Sequence, residues 1–226
     1  TEEARYYLNG IYLHSVELEG KKKFRAVATD GHRLAKVEND MPTGTDNIPG
    51  VIVPKKTINE IRKLIDDIDH DVQISLNESK IIFTINKIVI SSKLIDGSFP
   101  DYEKVIPLNN DKEFSVKKEI MYNAVDRVST MSSEKSKSVK LTILNNMISL
   151  SSNSADIGSG AEDIDIEYSG SDIEIGYNAK YLLEIINQIK GEKIIFKLFD
   201  SSSPTIIQDQ KNVDTLYILM PMRVWN

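Results

Sequence analysis

The sequence predicts an α+β fold in which each domain is a duplicated β-α-β-β-β unit, its two helices packed on curved antiparallel sheets. Three observations carry this. Short helices with one apolar face are separated by runs of three β-prone segments, so each helix needs a sheet to cover. The stretch Val51-Ile52-Val53-Pro54, followed by a helix and three strands, matches Glu174-Ile175-Gly176-Tyr177-Asn178, again followed by a helix and three strands. Each of these blocks is preceded by three strands, over residues 5–38 and 139–168. A repeat of this kind is the organising fact of a chain. It divides the sequence into domains at 1–108 and 109–226. In the second half one further strand and helix, over 113–131, come before the three strands and have no counterpart in the first. The expectation is that about 25 residues of the first domain precede Thr1, the length of that uncounterparted segment.

Taken in order, residues 5–18 read as a strand with Tyr6, Leu8, Ile11, Leu13 and Val16 apolar. Strands near 24–28 and 33–38 form a hairpin broken at Asp30-Gly31, a dipeptide that tolerates positive φ. Residues 39–49 read as a loop and 51–53 as a buried strand. Pro54 then stands where a helix begins, because its missing N–H costs nothing there. Ile58, Ile61, Leu64 and Ile65 recur at helical spacing, which predicts a helix over 55–65. Three strands follow at 72–76, 80–85 and 87–94. In the second half a strand at 113–116 leads into a helix over 117–131 with Ile120, Met121, Ala124, Val125 and Val128 inward. Strands 139–144 and 147–152 turn at Asn145-Asn146, a type I′ signal. Residues 153–160 read as a loop, and Ile164, Ile166 and Tyr168 alternate on a strand. After a strand at 173–177, Asn178 is the candidate N-cap of a helix over 180–189. Strands at 193–199, 205–208 and 216–222 end the chain.

The 226 residues hold 40% hydrophobic and 27% charged side chains, the balance of a folded globular chain. No apolar run approaches the roughly 20 residues of a membrane helix. Cysteine is absent, which removes disulfides, thiol nucleophiles and cysteine metal sites and suits a cytoplasmic protein. Three histidines leave few options for a histidine metal cluster. The net charge of −6 argues against a chain coated by nucleic acid through bulk attraction, but not against a local basic face.

Such a face is present on the helices. Lys55, Lys56, Arg62 and Lys63 lie on one, and Lys117, Lys118, Arg127 and Lys180 on the others. The same helices carry Glu60, Glu119, Asp126 and Glu184, so the residues alone fit an ordinary solvated surface as well as a polyanion site. Arg5-Tyr6-Tyr7 fits sheet packing or a grip on phosphate and bases. The acidic run from Asp66 to Asp71 lacks the alternating ligands and central glycine of a calcium loop and reads as a solvated turn, so no metal and no cofactor is expected. Asp30-Gly31-His32-Arg33 admits one enzymatic alternative, a nucleotide or phosphate site with His32 as acid or base. Neither a glycine-rich phosphate loop nor a paired base and nucleophile accompanies it.

Four segments together resemble the β sliding clamp family of bacterial DNA polymerase III: Arg5-Tyr6-Tyr7-Leu8-Asn9-Gly10, Ala28-Thr29-Asp30-Gly31-His32-Arg33-Leu34-Ala35, Ser92-Lys93-Leu94-Ile95-Asp96-Gly97-Ser98-Phe99-Pro100-Asp101-Tyr102 and Tyr217-Ile218-Leu219-Met220-Pro221-Met222-Arg223. They run from end to end in the family's order. The resemblance implies the DNA clamp fold, with most of the middle domain and the whole last domain, and Trp225-Asn226 extending past the usual end. It implies a non-catalytic processivity factor. Two chains join head to tail in a ring around duplex DNA and tether the polymerase catalytic subunit, the clamp loader and other partners. A chain without the first domain would not close that ring. Arg5, Tyr6, Tyr7, Lys55, Lys56, Lys117, Lys118 and Arg127 are the implied DNA contacts. Partners in the family carry a short peptide with apolar anchors that docks in a groove between the middle and last domains. By motif, the groove residues here are Leu8, Thr29, Gly31, His32, Arg33, Leu34, Pro100, Lys104 and Val105 on one side. On the other are Asn178, Tyr181, Pro204, Ile218, Met220, Pro221, Met222 and Arg223. Leu8, Leu34, Val105, Ile218 and Met220 would form the apolar slot. Lys104 and Pro204 depart from the family's usual arginine and small polar residue.

Overall fold

A computed structural model describes residues 3–45, 48–66, 71–133 and 137–223. The chain divides into two compact units, Thr1–Asp30 with Ala35–Tyr102, and Gly31–Leu34 with Glu103–Asn226.

In the first unit a 3₁₀ turn at Tyr6–Leu8 leads into β1 (Gly10–Leu18), β2 (Lys21–Thr29) and β3 (Arg33–Asp40), whose first two residues belong to the second unit. Then come β4 (Val51–Pro54), α1 (Lys55–Ile65), β5 (Gln73–Leu76), β6 (Lys80–Ile85), β7 (Ile88–Lys93) and a 3₁₀ turn at Tyr102–Val105, of which only Tyr102 belongs to this unit. One set of strands runs β4-β1-β2-β3 and a separate sheet runs β5-β6-β7. The expected strand over 5–18 starts only at Gly10. Ahead of it, the Leu8 and Asn9 amides donate to the Arg5 and Tyr6 carbonyls (2.9 and 3.0 Å), so local i→i+3 bonds win over a sheet partner. Gly10 makes the start of β1 possible, since a Cβ there would lie 2.3 Å from the Val53 carbonyl oxygen.

Helix α1 begins behind Pro54 (φ −59°) as the sequence requires, and the Lys55 amide donates to the Asn9 carbonyl at 3.0 Å, satisfying one of the first-turn donors. Thr57 and Ile61 are buried, and Ile58 and Leu64 pack beside them against Leu13, Val51, Val53 and Phe83. Ile65, expected on this face, is 38% exposed.

The second unit contains the repeat twice. Its first half is β8 (Lys112–Lys117), α2 (Lys118–Ser129), β9 (Ser138–Leu144), β10 (Met147–Ser154) and β11 (Gly158–Asp165). Its second half is β12 (Ile173–Asn178), α3 (Ala179–Gln188), β13 (Lys193–Leu198), β14 (Thr205–Asp209) and β15 (Thr215–Leu219). The halves exchange their leading strands: β12 pairs with β9 in the sheet β11-β10-β9-β12, and β8 pairs with β13 in the run β15-β14-β13-β8. Helices α2 and α3 pack on each other and cover a core of Phe114, Met121, Leu141, Ile175, Leu182 and Phe196, with the two phenylalanine rings stacked at 4.7 Å. Burial pushes the Tyr177 phenol far above its ordinary pKa, and its hydroxyl bonds Thr205 Oγ1 at 2.5 Å.

Several details differ from expectation. Ile120 is 43% exposed, because the inward stripe of α2 is Met121, Ala124, Val125 and Val128. Of the Asn145-Asn146 turn only Asn146 takes a positive φ (57°), where type I′ needs both. The strand expected on Ile164–Tyr168 lies earlier, at Gly158–Asp165, and the supposed loop 153–160 is mostly ladder, with Ser154 facing Gly158. Beyond Asp165 the chain is held by that same turn: the Ile166 amide donates to the Asn146 carbonyl (3.1 Å) and the Tyr168 amide to Asn146 Oδ1 (3.2 Å). The last strand ends at Leu219 because Pro221 has no N–H for a ladder. Among the described residues no helix is long and apolar enough to cross a membrane, and no three histidine, aspartate or glutamate side chains cluster as metal ligands. Asp67, Ile68, Asp69 and His70 of the acidic run, and Trp225-Asn226, lie outside the described residues.

Candidate functional site

In the first unit three of the eight expected DNA contacts, Tyr6, Lys55 and Lys56, line one concavity. This concavity of about 860 Å³ is lined by Tyr6, Lys55, Lys56, Arg62 and Lys63, together with Asn9 and Asn59. The 3₁₀ turn builds one wall and the exposed face of α1 the other, joined by the Asn9–Lys55 backbone bond. Tyr6 is 51% exposed and meets Tyr7 edge to face at 5.8 Å, while the Tyr6 ring and the Tyr7 Cβ fill the space that a side chain at Gly97 would need. Arg5 is half-buried, its guanidinium 3.5 Å from the Asp30 carbonyl. Glu60 and Asp66 share the lining and Lys63 pairs with Glu60 at 3.0 Å, so the field that can attract an anion without fixing it comes mainly from Lys55, Lys56 and Arg62.

The cations of α2 are more committed. Lys118 Nζ donates to the Ile189 carbonyl. Arg127 forms a two-pronged pair with Glu162, Nε at 3.0 Å and Nη2 at 2.5 Å, which holds that carboxyl below its ordinary pKa. Lys117 at the N-cap is exposed.

Of the residues expected to hold a peptide, Leu8, Thr29 and Pro100 belong to the first unit and the remainder to the second. Within the second unit, His32 and Arg33 converge with Tyr181 and Met220. Gly31 (φ 87°) turns the chain into β3. The Asn178 side chain caps α3, Oδ1 accepting from the Tyr181 amide at 3.2 Å, and this sets the first turn that presents Tyr181. The Arg33 guanidinium lies 4.3 Å over the Tyr181 ring and its Nη1 is 2.5 Å from Glu184 Oε2. The His32 ring stacks loosely on Tyr181, 6.3 Å between centroids. Two backbone bonds pin the final segment, from the Met220 amide to the His32 carbonyl and from the Met222 amide to the Gly176 carbonyl, both 2.9 Å. Pro204 is fixed through its carbonyl by Asn110 Nδ2 at 3.0 Å.

One part of the expected slot is corrected. Leu34 (4% exposed) and Ile218 (0%) are buried and can only back the surface. Val105 is exposed, Met220, Pro221 and Met222 are half-buried, and Lys104 and Arg223 are exposed.

Sequence reasoning missed a polar cluster in the first unit. Buried Arg25 donates to the Tyr102 hydroxyl (2.8 Å), which lies 3.0 Å from His14 Nε2, and Arg25 Nε faces Glu38 Oε2 at 3.4 Å. Burial raises the Glu38 pKa, but Lys36 and Arg25 outweigh it and leave the carboxyl below its ordinary value. The signal was available: Arg25 alternates with Val27 on the inward face of β2.

Comparison with known proteins fits both units. Residues 1–101 match the central domain of the DNA polymerase III beta subunit and residues 103–223 its C-terminal domain. A beta sliding clamp of Caulobacter vibrioides is 45% identical over 224 residues, and that of Escherichia coli K12 is 36% identical over 225. The chain spans 60% of the length of each, and 99% of it is covered. A sliding clamp structure from Bartonella birtlesii, bound to griselimycin, superposes with a TM-score of 0.96 at 47% identity, covering 99% of this chain and 60% of that one. The Caulobacter crescentus clamp gives 0.96 at 45% with the same coverage. With the repeat, the strand exchange and both domain matches in agreement, the chain belongs to the DNA polymerase III beta subunit family, the beta sliding clamps.

Proposed function

We propose that this chain is the middle and last domains, 1–108 and 109–226, of a DNA sliding clamp: a non-catalytic processivity factor acting in the cytoplasm. Two full-length copies encircle duplex DNA head to tail. The clamp tethers the polymerase catalytic subunit, the clamp loader and other partners through their clamp-binding peptides. The concavity that collects Tyr6, Lys55, Lys56, Arg62 and Lys63 carries the DNA part of this reading, since exchangeable phosphate contacts hold DNA without stopping it from sliding. The peptide part rests on the second unit. Methionines adapt to varied apolar anchors, and the donors of His32 and Arg33 can meet a peptide backbone at the rim. The enzymatic alternative for Asp30-Gly31-His32-Arg33 is dropped, because both domain matches and the similar proteins are sliding clamps.

The test of peptide docking is titration of a synthetic clamp-binding peptide with a leucine or phenylalanine anchor against this chain. Binding is expected, and Met220→Ala should weaken it by about 1–2 kcal/mol. Absence of binding by the folded chain would sink the reading. For DNA, the full-length protein should stay on nicked circular duplex and be lost when the circle is cut.

A further inference from the structure

Asn110 stands outside the set of residues expected to touch a peptide, yet it holds one that belongs to it. Strands β13 and β14 pair from Ile194 with Asp209 as far as Lys197 with Ile206, and β8 accompanies β13 as far as Lys112 beside Leu198. Where this ladder stops, Pro204 has no N–H with which to continue it. The Asn110 side chain takes over. Its Nδ2 donates to the Lys197 carbonyl at 2.8 Å and to the Pro204 carbonyl at 3.0 Å, one on each arm of the hairpin. A carboxamide nitrogen carries two N–H donors on one atom, so a single short neutral side chain can make both bonds. The Asn110 Oδ1 is buried and finds no donor among the described residues, so the side chain is held through its donors.

The same end of the hairpin is fixed from the core. Thr205 Oγ1, next to Pro204, bonds the buried Tyr177 hydroxyl at 2.5 Å. Tyr177 precedes Asn178, whose side chain caps α3 and sets the turn that presents Tyr181. Pro204 is half-buried, so part of its ring meets solvent beside this frame. We propose that Asn110 is a positioning residue of the peptide site: by closing the hairpin that Pro204 leaves open, it fixes the wall that Pro204 offers to a peptide. This rests on the peptide-docking reading above. A wall fixed before docking spares the ordering that a loose one would undergo on binding.

The experiment titrates a fluorescein-labelled synthetic peptide with a leucine anchor against the unaltered chain, Asn110→Ala and Asn110→Asp. Amide hydrogen exchange over residues 198–206 is followed in the same samples. Asn110→Ala removes both donors and should weaken the peptide by about threefold. Asn110→Asp sets a carboxylate against the two carbonyls and should weaken it by about tenfold. Exchange over that segment should quicken in both variants. Should Asn110→Asp fail to fold, Asn110→Ala decides by the same criteria. If peptide affinity is unchanged in the folded variant, whatever happens to its urea stability, Asn110 serves the fold alone and the inference falls. It falls likewise if affinity drops without faster exchange, since Asn110 would then be a direct contact. If the peptide does not bind the unaltered chain, the docking reading itself fails and takes the inference with it.

Discussion

β5 and β13 occupy the same place in the repeat, the strand after a helix that follows a short buried strand, and they end up in opposite environments. β13 alternates half-buried and buried along its length, with Ile194 and Phe196 fully covered. In β5, Gln73, Ile74 and Ser75 are exposed and only Leu76 is half-buried, with Ile74 at 46%. The difference follows from neighbours. β13 lies between β14 and β8, and its unit has two helices packed on each other; β5 pairs only with β6 among the described residues, beside the single helix α1. The position that β8 fills beside β13 has no counterpart in the sequence, so the contrast shows what a strand's exposure owes to an unfilled flank, while its own hydrophobicity sets which face turns inward.

The largest test of this contrast is packing. Phe196→Ala should cost about 3–5 kcal/mol in urea unfolding, and Ile74→Ala less than about 1. Equal costs would break the comparison. Next in size, Glu38→Gln removes the charge that faces buried Arg25 and should destabilise the first unit by about 2 kcal/mol. Because the folded pKa of Glu38 is lowered, its contribution is complete above the ordinary value of 4.5 and disappears as the pH falls through the folded value. Acid titration of stability should show that loss in the unaltered protein and not in Glu38→Gln. A third test contrasts the cationic faces. In the full-length clamp, Lys55→Ala with Lys56→Ala should lower the slope of log affinity against log salt by about two. Arg127→Ala should lower it by less than one, since Glu162 already occupies that guanidinium. The smallest effect is on stability: Arg127→Ala should change it by less than about 1 kcal/mol in the same urea experiment, as a surface pair does.

What was legible in the sequence was local. Helix α1 occupies the residues that its apolar spacing and Pro54 predict, Lys55–Ile65, and Asn178 caps α3 because an amide side chain needs only the next turn. The internal repeat was legible for the same reason, since each copy restates the same local signals. What stayed hidden depends on partners distant in sequence. The 3₁₀ turn at Tyr6–Leu8 has the composition of a strand but no sheet partner. The serine-rich end of β10 reads as loop until β11 is placed against it. Glu184 looks like a solvated helix acid until Arg33 arrives from β3. Ile218 has the pattern of a surface anchor, and its complete burial depends on neighbours that a single strand's alternation does not name.

The exchange of leading strands in the second unit also governs how it forms. β8 is the first strand of the unit to be made, but its ladder partner β13 is among the last. β12 in turn closes on β9, across β10 and β11. Neither half can complete a sheet from its own chain, so partial folding earns little until both are present. On a ribosome β8 must wait for most of the unit to emerge before its ladder with β13 can be made. Contacts of such long range make folding slow and the final step nearly all-or-none. A backbone cut between β11 and β12 would yield two pieces, each unfolded alone, that recover the unit only when mixed.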